Sequence, residues 1–292
     1  MKNLFLFLWL FLLASCGSGG EIEEKPVISV SIIPQKYFIE QLAGDLVEVN
    51  VMIPPGASPA TYEPSVSQLG KLDQSLLYMR IGYVGFELSW MEKISSVNPD
   101  MKIVNLSEGV DIILEDDEEE AEDEDLHGHS HHGPDPHIWM SVINARIIAR
   151  NIHNELLVLF PDEKEYLQAR HMHFSRSLDS LHLAFGGKLE GTENREFLIY
   201  HPALTYFARD YGLEQLSLEI EGKTPSPAHL KEMTDLAIHH QISKILVQTQ
   251  FDRKNAEVLA RETGAEIIQF DPLDLNWGEQ MYYIAEKLNP SD

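Results

Sequence analysis

Apolar positions along the chain fall into two alternating rhythms, one of period two and one of helical period. Residues 27–33 alternate, are rich in β-branched side chains and stop at Pro34, which predicts a first strand. Residues 35–46 carry Tyr37, Phe38, Leu42 and Ala43 at helical spacing, with Gly44 as a stop. A second strand, 47–53, runs into Pro54-Pro55-Gly56-Ala57-Ser58-Pro59, a rigid loop at the strand end where α/β sheets bind ligands. Helix at 65–74, strand at 76–79, helix around 85–95 and strand at 102–106 follow. The repeating strand-helix order predicts a parallel sheet covered on both faces.

Beyond residue 133, Ser141 is placed to cap a helix reaching about residue 160, with Val142, Ile143, Ile147, Ile148 and Ile152 on its apolar side. Pro161 breaks it and can open the next helix. From 162 to about 189 one stripe carries Leu167, Phe174, Leu178, Leu181, Phe185 and Leu189. A helix of that length spans roughly 40 Å, more than one small lobe needs, so it is expected to bridge two. Gly186-Gly187 and the stretch 191–193 read as a joint, after which the rhythm restarts. Strands are expected at 197–200, 213–218, 244–248 and 266–270, and helices at 205–211, 228–239, 255–263 and 277–288. The fold class is therefore α/β, with two lobes, each a parallel sheet flanked by helices, joined by one long linker helix. The N-terminal lobe spans 27–160, the linker 161–190 and the C-terminal lobe 191–292. That length suits two modest cores rather than one large one.

The first residues change the picture of where such a chain works. Lys2 precedes an apolar run and then Leu13-Ala14-Ser15-Cys16-Gly17, the order of a secretory signal with a run too short to span a bilayer. Cys16 is the only cysteine, which excludes a disulfide within the chain, and its setting is similar to the lipobox of bacterial lipoproteins. Residues 1–16 are thus expected to be a lipoprotein signal peptide, Cys16 the lipidated residue and 17–26 a tether, leaving the protein extracytoplasmic and anchored to a membrane by lipid. The formal net charge of −25 argues against nucleic acid as a partner. Ten of the acidic groups lie between Glu115 and Asp125, so much of the imbalance is local.

Directly after that acidic run comes His127-Gly128-His129-Ser130-His131-His132, and then Gly133-Pro134-Asp135-Pro136-His137-Ile138-Trp139. Neutral imidazole is a preferred ligand for zinc, copper and nickel, and the carboxylates raise the local concentration of any dication. His127, His129, His131 and His132 alternate with small residues and suit loose, exchangeable binding. His137 is different, because two prolines stiffen its approach and Ile138 and Trp139 can bury the backbone behind it. The acidic and histidine loop, 115–133, is expected to gather metal and His137 to hold it.

In the second lobe three loops follow strand ends. His201 sits in Tyr200-His201-Pro202, Asp271 in Phe270-Asp271-Pro272, and between them lies a polar loop with Glu219 and Glu221. His137, His201 and Asp271 together would make a site of two nitrogens and one carboxylate between the lobes. His171, His173 and His182 fall on the long helix without a chelating partner in sequence and are read as surface or packing residues.

These motifs together resemble the metal-specific solute-binding proteins of bacterial ABC importers, the zinc and manganese receptors. The resemblance rests on Pro55-Gly56-Ala57-Ser58-Pro59 with Tyr62-Glu63-Pro64, Asp135-Pro136-His137-Ile138-Trp139, His201-Pro202-Ala203 with Tyr206-Phe207-Ala208, Pro225-Ser226-Pro227, and Phe270-Asp271-Pro272-Leu273. It implies two α/β lobes joined by a rigid helix with the ion between them, a monomer, and a permease with a separate ATPase as partner. It also implies a first histidine ligand at the position of Ala60, which cannot coordinate, so that Glu63, Glu219, Glu221 or a histidine of 127–132 would have to fill the place. Where manganese-selective relatives place a carboxylate this chain has His201, and two imidazoles with one carboxylate favour Zn2+ as the transported ligand. The expected function is capture of zinc without catalysis. The alternatives are a manganese or other divalent-metal receptor or adhesin of the same fold, and a zinc hydrolase, for which Glu63 would be the general base and no His-Glu-x-x-His helix is present.

Overall fold

A computed structural model describes residues 25–114, 133–192, 194–220 and 222–289. Cys16, Glu221 and the tract containing His127, His129, His131 and His132 lie outside the described residues. The first lobe is built from β1 (Val27–Val30), α1 (Ile33–Ala43), β2 (Glu48–Val51), α2 (Val66–Asp73), β3 (Ser75–Arg80), α3 (Gly85–Val97) and β4 (Lys102–Asn105). Two long helices follow, α4 (Val142–Leu159) and α5 (Lys164–Leu189). The second lobe comprises β5 (Glu196–Ile199), α6 (Thr205–Tyr211), β6 (Glu214–Ser217), α7 (Pro227–His239), β7 (Lys244–Gln248), α8 (Lys254–Thr263), β8 (Glu266–Phe270) and α9 (Trp277–Lys287).

Both lobes carry a four-stranded, all-parallel sheet with the same connectivity, β2-β1-β3-β4 and β6-β5-β7-β8. In this order the chain reverses direction of travel between the first and third strand of each sheet, and the strand ends there open a crevice. The C-terminal edges of both sheets supply walls of one interlobe cleft, a placement that parallel pairing imposes on every loop that leaves a strand. Helix α5 packs against α1 and α4 on one side and α6 and α9 on the other, as a bridge between lobes must. Its buried residues are Leu167, Phe174, Leu178, Phe185 and Leu189, while Leu181 is only partly buried.

Three expectations need correction. Helix α1 starts at Ile33, not after Pro34, because proline is tolerated in a first turn and Gln35 fastens the junction. The buried Gln35 Oε1 accepts from the N–H groups of Ser31 (3.0 Å) and Ile32 (2.9 Å), and its Nε2 donates to the Met79 carbonyl (2.7 Å). Gly186 and Gly187 are not a joint: α5 runs through them to Leu189, since Phe185 and Leu189 remain on the buried stripe. Nor are both cores modest. One apolar cluster runs from Ile28 through α5 to Phe270 and Leu288, and a smaller second one, around Leu198, Tyr200, Val247 and Leu259, fills the other face of the second sheet.

A buried carboxylate fixes the crevice of the first lobe. Glu87, in the first turn of α3, accepts from the N–H groups of Ile81 (2.8 Å) and Gly82 (2.6 Å) and from the Ser31 hydroxyl, which also pairs with the Tyr78 hydroxyl at 2.8 Å. Burial pushes its pKa up, and the donors only partly offset that. The same helix start receives the proline loop, because the Phe86 N–H donates to the Pro59 carbonyl at 2.7 Å. Glu87→Gln places an amide NH2 against backbone donors. The expected loss is about 1–3 kcal/mol, read as a lower urea midpoint at unchanged slope.

His171 stacks face to face on His153 of α4, ring centroids 4.4 Å apart at 11°, and His182 Nδ1 lies 3.1 Å from the Tyr211 hydroxyl, so both are packing residues. Burial holds His153 and His171 below the usual histidine range, with the neighbouring ring adding to the effect at His153. The unfolded chain therefore binds protons more readily than the folded one, and their stabilising contribution is lost as pH falls below about 6.5. Urea midpoints should fall between about pH 8 and pH 5, and His153→Phe should make that fall shallower.

Candidate metal centre

Four parallel strands of the second lobe end on the same edge, and each hands a polar side chain to it. His201 follows β5, Glu219 follows β6, Gln248 ends β7, and Asp271 follows β8. The buried Gln248 side chain grips the His201 backbone twice, Oε1 accepting from the N–H (3.3 Å) and Nε2 donating to the carbonyl (2.6 Å). Phe251 stacks along the His201 ring, with centroids 5.4 Å apart at 25°. His201 Nδ1 lies 2.7 Å from Glu219 Oε2. The side chain is left no freedom to choose which nitrogen it presents to the cleft.

His137 reaches the same point from the segment before α4. Asp135, 1% exposed, accepts from the His137 N–H (2.7 Å) and Nδ1 (2.9 Å) through one oxygen. Burial pushes the Asp135 carboxyl up, but His137 beside it, with the hydrogen bonds from its N–H and ring, outweighs that and holds it below the ordinary range. The backbone is pinned in turn: the Tyr206 hydroxyl donates to the Asp135 carbonyl (2.9 Å), and the Asp135 N–H to the Ile113 carbonyl (2.9 Å). Trp139 Nε1 donates to the Pro272 carbonyl and Trp277 Nε1 to the Trp139 carbonyl, both at 2.8 Å, so two buried indoles tie the His137 segment to the second lobe.

With each Nδ1 engaged by a carboxylate, the two Nε2 atoms face one another 3.3 Å apart. Two lone pairs at that distance repel unless a proton or cation lies between them. Two zinc–nitrogen bonds of 2.0–2.1 Å at the tetrahedral angle would set their nitrogens about 3.3 Å apart, so the pair already has the bite of a tetrahedral dication. Imidazole oriented by a carboxylate is the usual outer shell of such a centre.

The other expected ligands behave differently. Asp271 does not join the two imidazoles in a ready cluster, and among the described residues no group of three or more His, Cys, Asp or Glu side chains stands poised to hold an ion. Its Oδ1 accepts instead from Gln250 Nε2 (2.7 Å) and the Leu273 N–H (2.9 Å), beside the cleft that Pro272 and Leu273 line. Glu63 is exposed and is not among the cleft-lining residues. Glu219, a candidate for the vacant ligand position, is committed to His201 as its orienting partner. Asp135, Gln248, Gln250 and Phe251 were missed in sequence. Only Asp135 carried a signal, two residues ahead of His137 in a proline-stiffened turn.

Ser58, Pro59, Ala60, Thr61, Val84 and Gly85 form the first lobe's wall of the cleft, a cavity of about 350 Å³ that also takes in Pro136, His137, Trp139, His201, Glu219 and Phe251. Gly85 lies against this loop: a Cβ there would stand in van der Waals contact with Ala60 Cα, at 3.4 Å.

Residues 28–286 match the family described as ZnuA, zinc-uptake complex component A, periplasmic. The chain belongs to this family. It is 28% identical over 289 residues to the zinc-binding lipoprotein AdcA of Streptococcus pneumoniae, covering 95% of this chain and 57% of that protein. The chain thus spans a little over half the length of that curated relative. It is also 28% identical over 280 residues to the high-affinity zinc uptake system protein ZnuA of Bacillus subtilis, covering 91% of this chain and 86% of that protein. A crystal structure of ZnuA superposes with a TM-score of 0.83 at 34% identity, covering 91% of this chain and 98% of that one.

If Glu219 sets the His201 tautomer, side-chain 15N spectra at about pH 8 should show His201 protonated on Nδ1, and Glu219→Ala should move it toward the Nε2–H form while leaving His137 unchanged. An unaltered His201 spectrum would remove Glu219 from that role.

Proposed function

We propose that this chain is the extracytoplasmic receptor that captures Zn2+ between its lobes and delivers it to an ABC permease driven by a separate ATPase. The observation that carries the reading is the pair of carboxylate-backed Nε2 atoms 3.3 Å apart in an interlobe cavity. The names of the pneumococcal and B. subtilis relatives, a zinc-binding lipoprotein and a zinc uptake system protein, point the same way. His137 and His201 supply two neutral nitrogens, and Asp271, held beside the cleft by Gln250 and Leu273, supplies the third donor on closing over the ion. Two imidazoles with one carboxylate suit zinc better than manganese.

Capture proceeds with little hinge motion. The 26-residue α5 spans both lobes, and Trp139, Trp277 and Tyr206 lock the base of the cleft, so release depends on local movement of the loops that carry His201 and Asp271. The tract at 115–132 gathers ions and passes them to this centre. Cys16 carries the lipid that keeps the receptor, a monomer, at the membrane beside its permease. A hydrolase would need a general base beside the ion. Glu63 is exposed outside the cleft lining, while Asp135 and Glu219 already accept from imidazole Nδ1 atoms, which favours binding over catalysis.

In competition titrations against a chromophoric chelator, His201→Ala should abolish tight zinc binding, and Glu219→Ala should weaken it by about 10–100-fold. Affinity should also fall as protons compete for the Nε2 lone pairs at acid pH. Retention of full affinity by His201→Ala would exclude this centre. Deleting residues 115–132 should slow capture and remove weak sites while sparing the tight one; loss of the tight site would give the tract a true ligand.

A further inference from the structure

The cavity is much larger than the ion it is proposed to hold. At about 350 Å³ it falls in the size range of pockets for small organic ligands, whereas a dication with a few waters fills about a third of that. The nitrogen pair lies on one side. Opposite stand Pro59, Ala60, Thr61, Val84 and Gly85, none of which offers a metal donor side chain apart from the Thr61 hydroxyl, and Phe251 and Leu273 extend the apolar surface. Coordination gives a second constraint. Two imidazoles and the Asp271 carboxylate supply three donors, one fewer than the four that zinc usually takes. Zinc accepts a fourth and, transiently, a fifth ligand, so a donor that binds through two atoms can be accommodated.

We propose, resting on the receptor reading above, that the ion is taken up together with a small chelating molecule of the α-amino-acid class. Its amine nitrogen and carboxylate oxygen bind the metal, the ammonium proton passing to solvent as the chelate forms. Its side chain occupies the apolar space between Ala60, Val84, Phe251 and Leu273. Ala60 is then a specificity-determining position: its methyl group leaves open the volume that the co-ligand fills.

Equilibrium dialysis of the full chain with zinc and radiolabelled L-phenylalanine or glycine tests this, because the two chelate through the same atoms and differ only in the apolar group. The expected result is one phenylalanine retained per zinc-loaded chain, none without zinc, and retention about tenfold tighter than that of glycine, as burial of one large apolar side chain gives. Ala60→His, which supplies a protein donor and fills the space, should keep zinc and lose phenylalanine. Deletion of 115–132 should retain it. Zinc bound with no amino acid, or with glycine held as tightly, overturns the co-ligand and leaves the receptor standing. Phenylalanine lost with the tract overturns it too, by giving the position to a tract histidine. Failure to bind zinc under any of these conditions overturns both.

Discussion

Two buried carboxylates decide which nitrogen each of two imidazoles shows to the other. Asp135 takes His137 Nδ1 and Glu219 takes His201 Nδ1, so both Nε2 lone pairs converge on one point 3.3 Å wide. Neither carboxylate needs to touch an ion to control it. Each removes the ring's freedom to flip or change tautomer, and each raises the donor strength of the remaining nitrogen. A flexible pair of histidines would have to be ordered at the moment of binding, at a cost in affinity. Here much of that ordering is completed in folding.

The rest of the fold can be read as support for that convergence. Identical sheet orders bring two sets of strand ends to one cleft, and the polar residues at the ends of β5 to β8 meet there because parallel strands all point the same way. Two indole hydrogen bonds and the continuous apolar cluster along α5 hold the segment carrying His137 against the lobe carrying His201. The first lobe contributes its wall through a different device: Glu87 satisfies backbone donors at the end of β3, and the helix it begins carries the Pro59–Ala60 loop. Rigidity is thus concentrated at the base of the cleft, and adaptability in the loops at its rim.

That division bears on how the proposed receptor would both bind and release an ion. A centre complete in three or more donors would be slow to open, whereas here two nitrogens stand preset and Asp271 is held aside by Gln250 and the Leu273 N–H. Recruiting or withdrawing one carboxylate is a small motion. It needs no separation of lobes that the long helix and the tryptophan ties would resist.

Much of this was legible in the chain alone. Alternating and helical rhythms determine the two parallel sheets and the bridging helix, because apolar periodicity follows from which face of each element is buried, and that is a local property. His137 and His201 were also legible, since proline on one side of a histidine at a strand or turn end marks a stiffened backbone. What the sequence left undecided depends on contacts between distant residues. The run of α5 through Gly186-Gly187, the spread of the larger core along α5 into both lobes, the use of Glu219 as a partner to an imidazole and the distance of Asp271 from a ready cluster were all decided by packing and hydrogen bonding between distant residues. Sequence spacing cannot encode such contacts, because residues 64 positions apart, such as His137 and His201, meet only when the lobes have folded against each other.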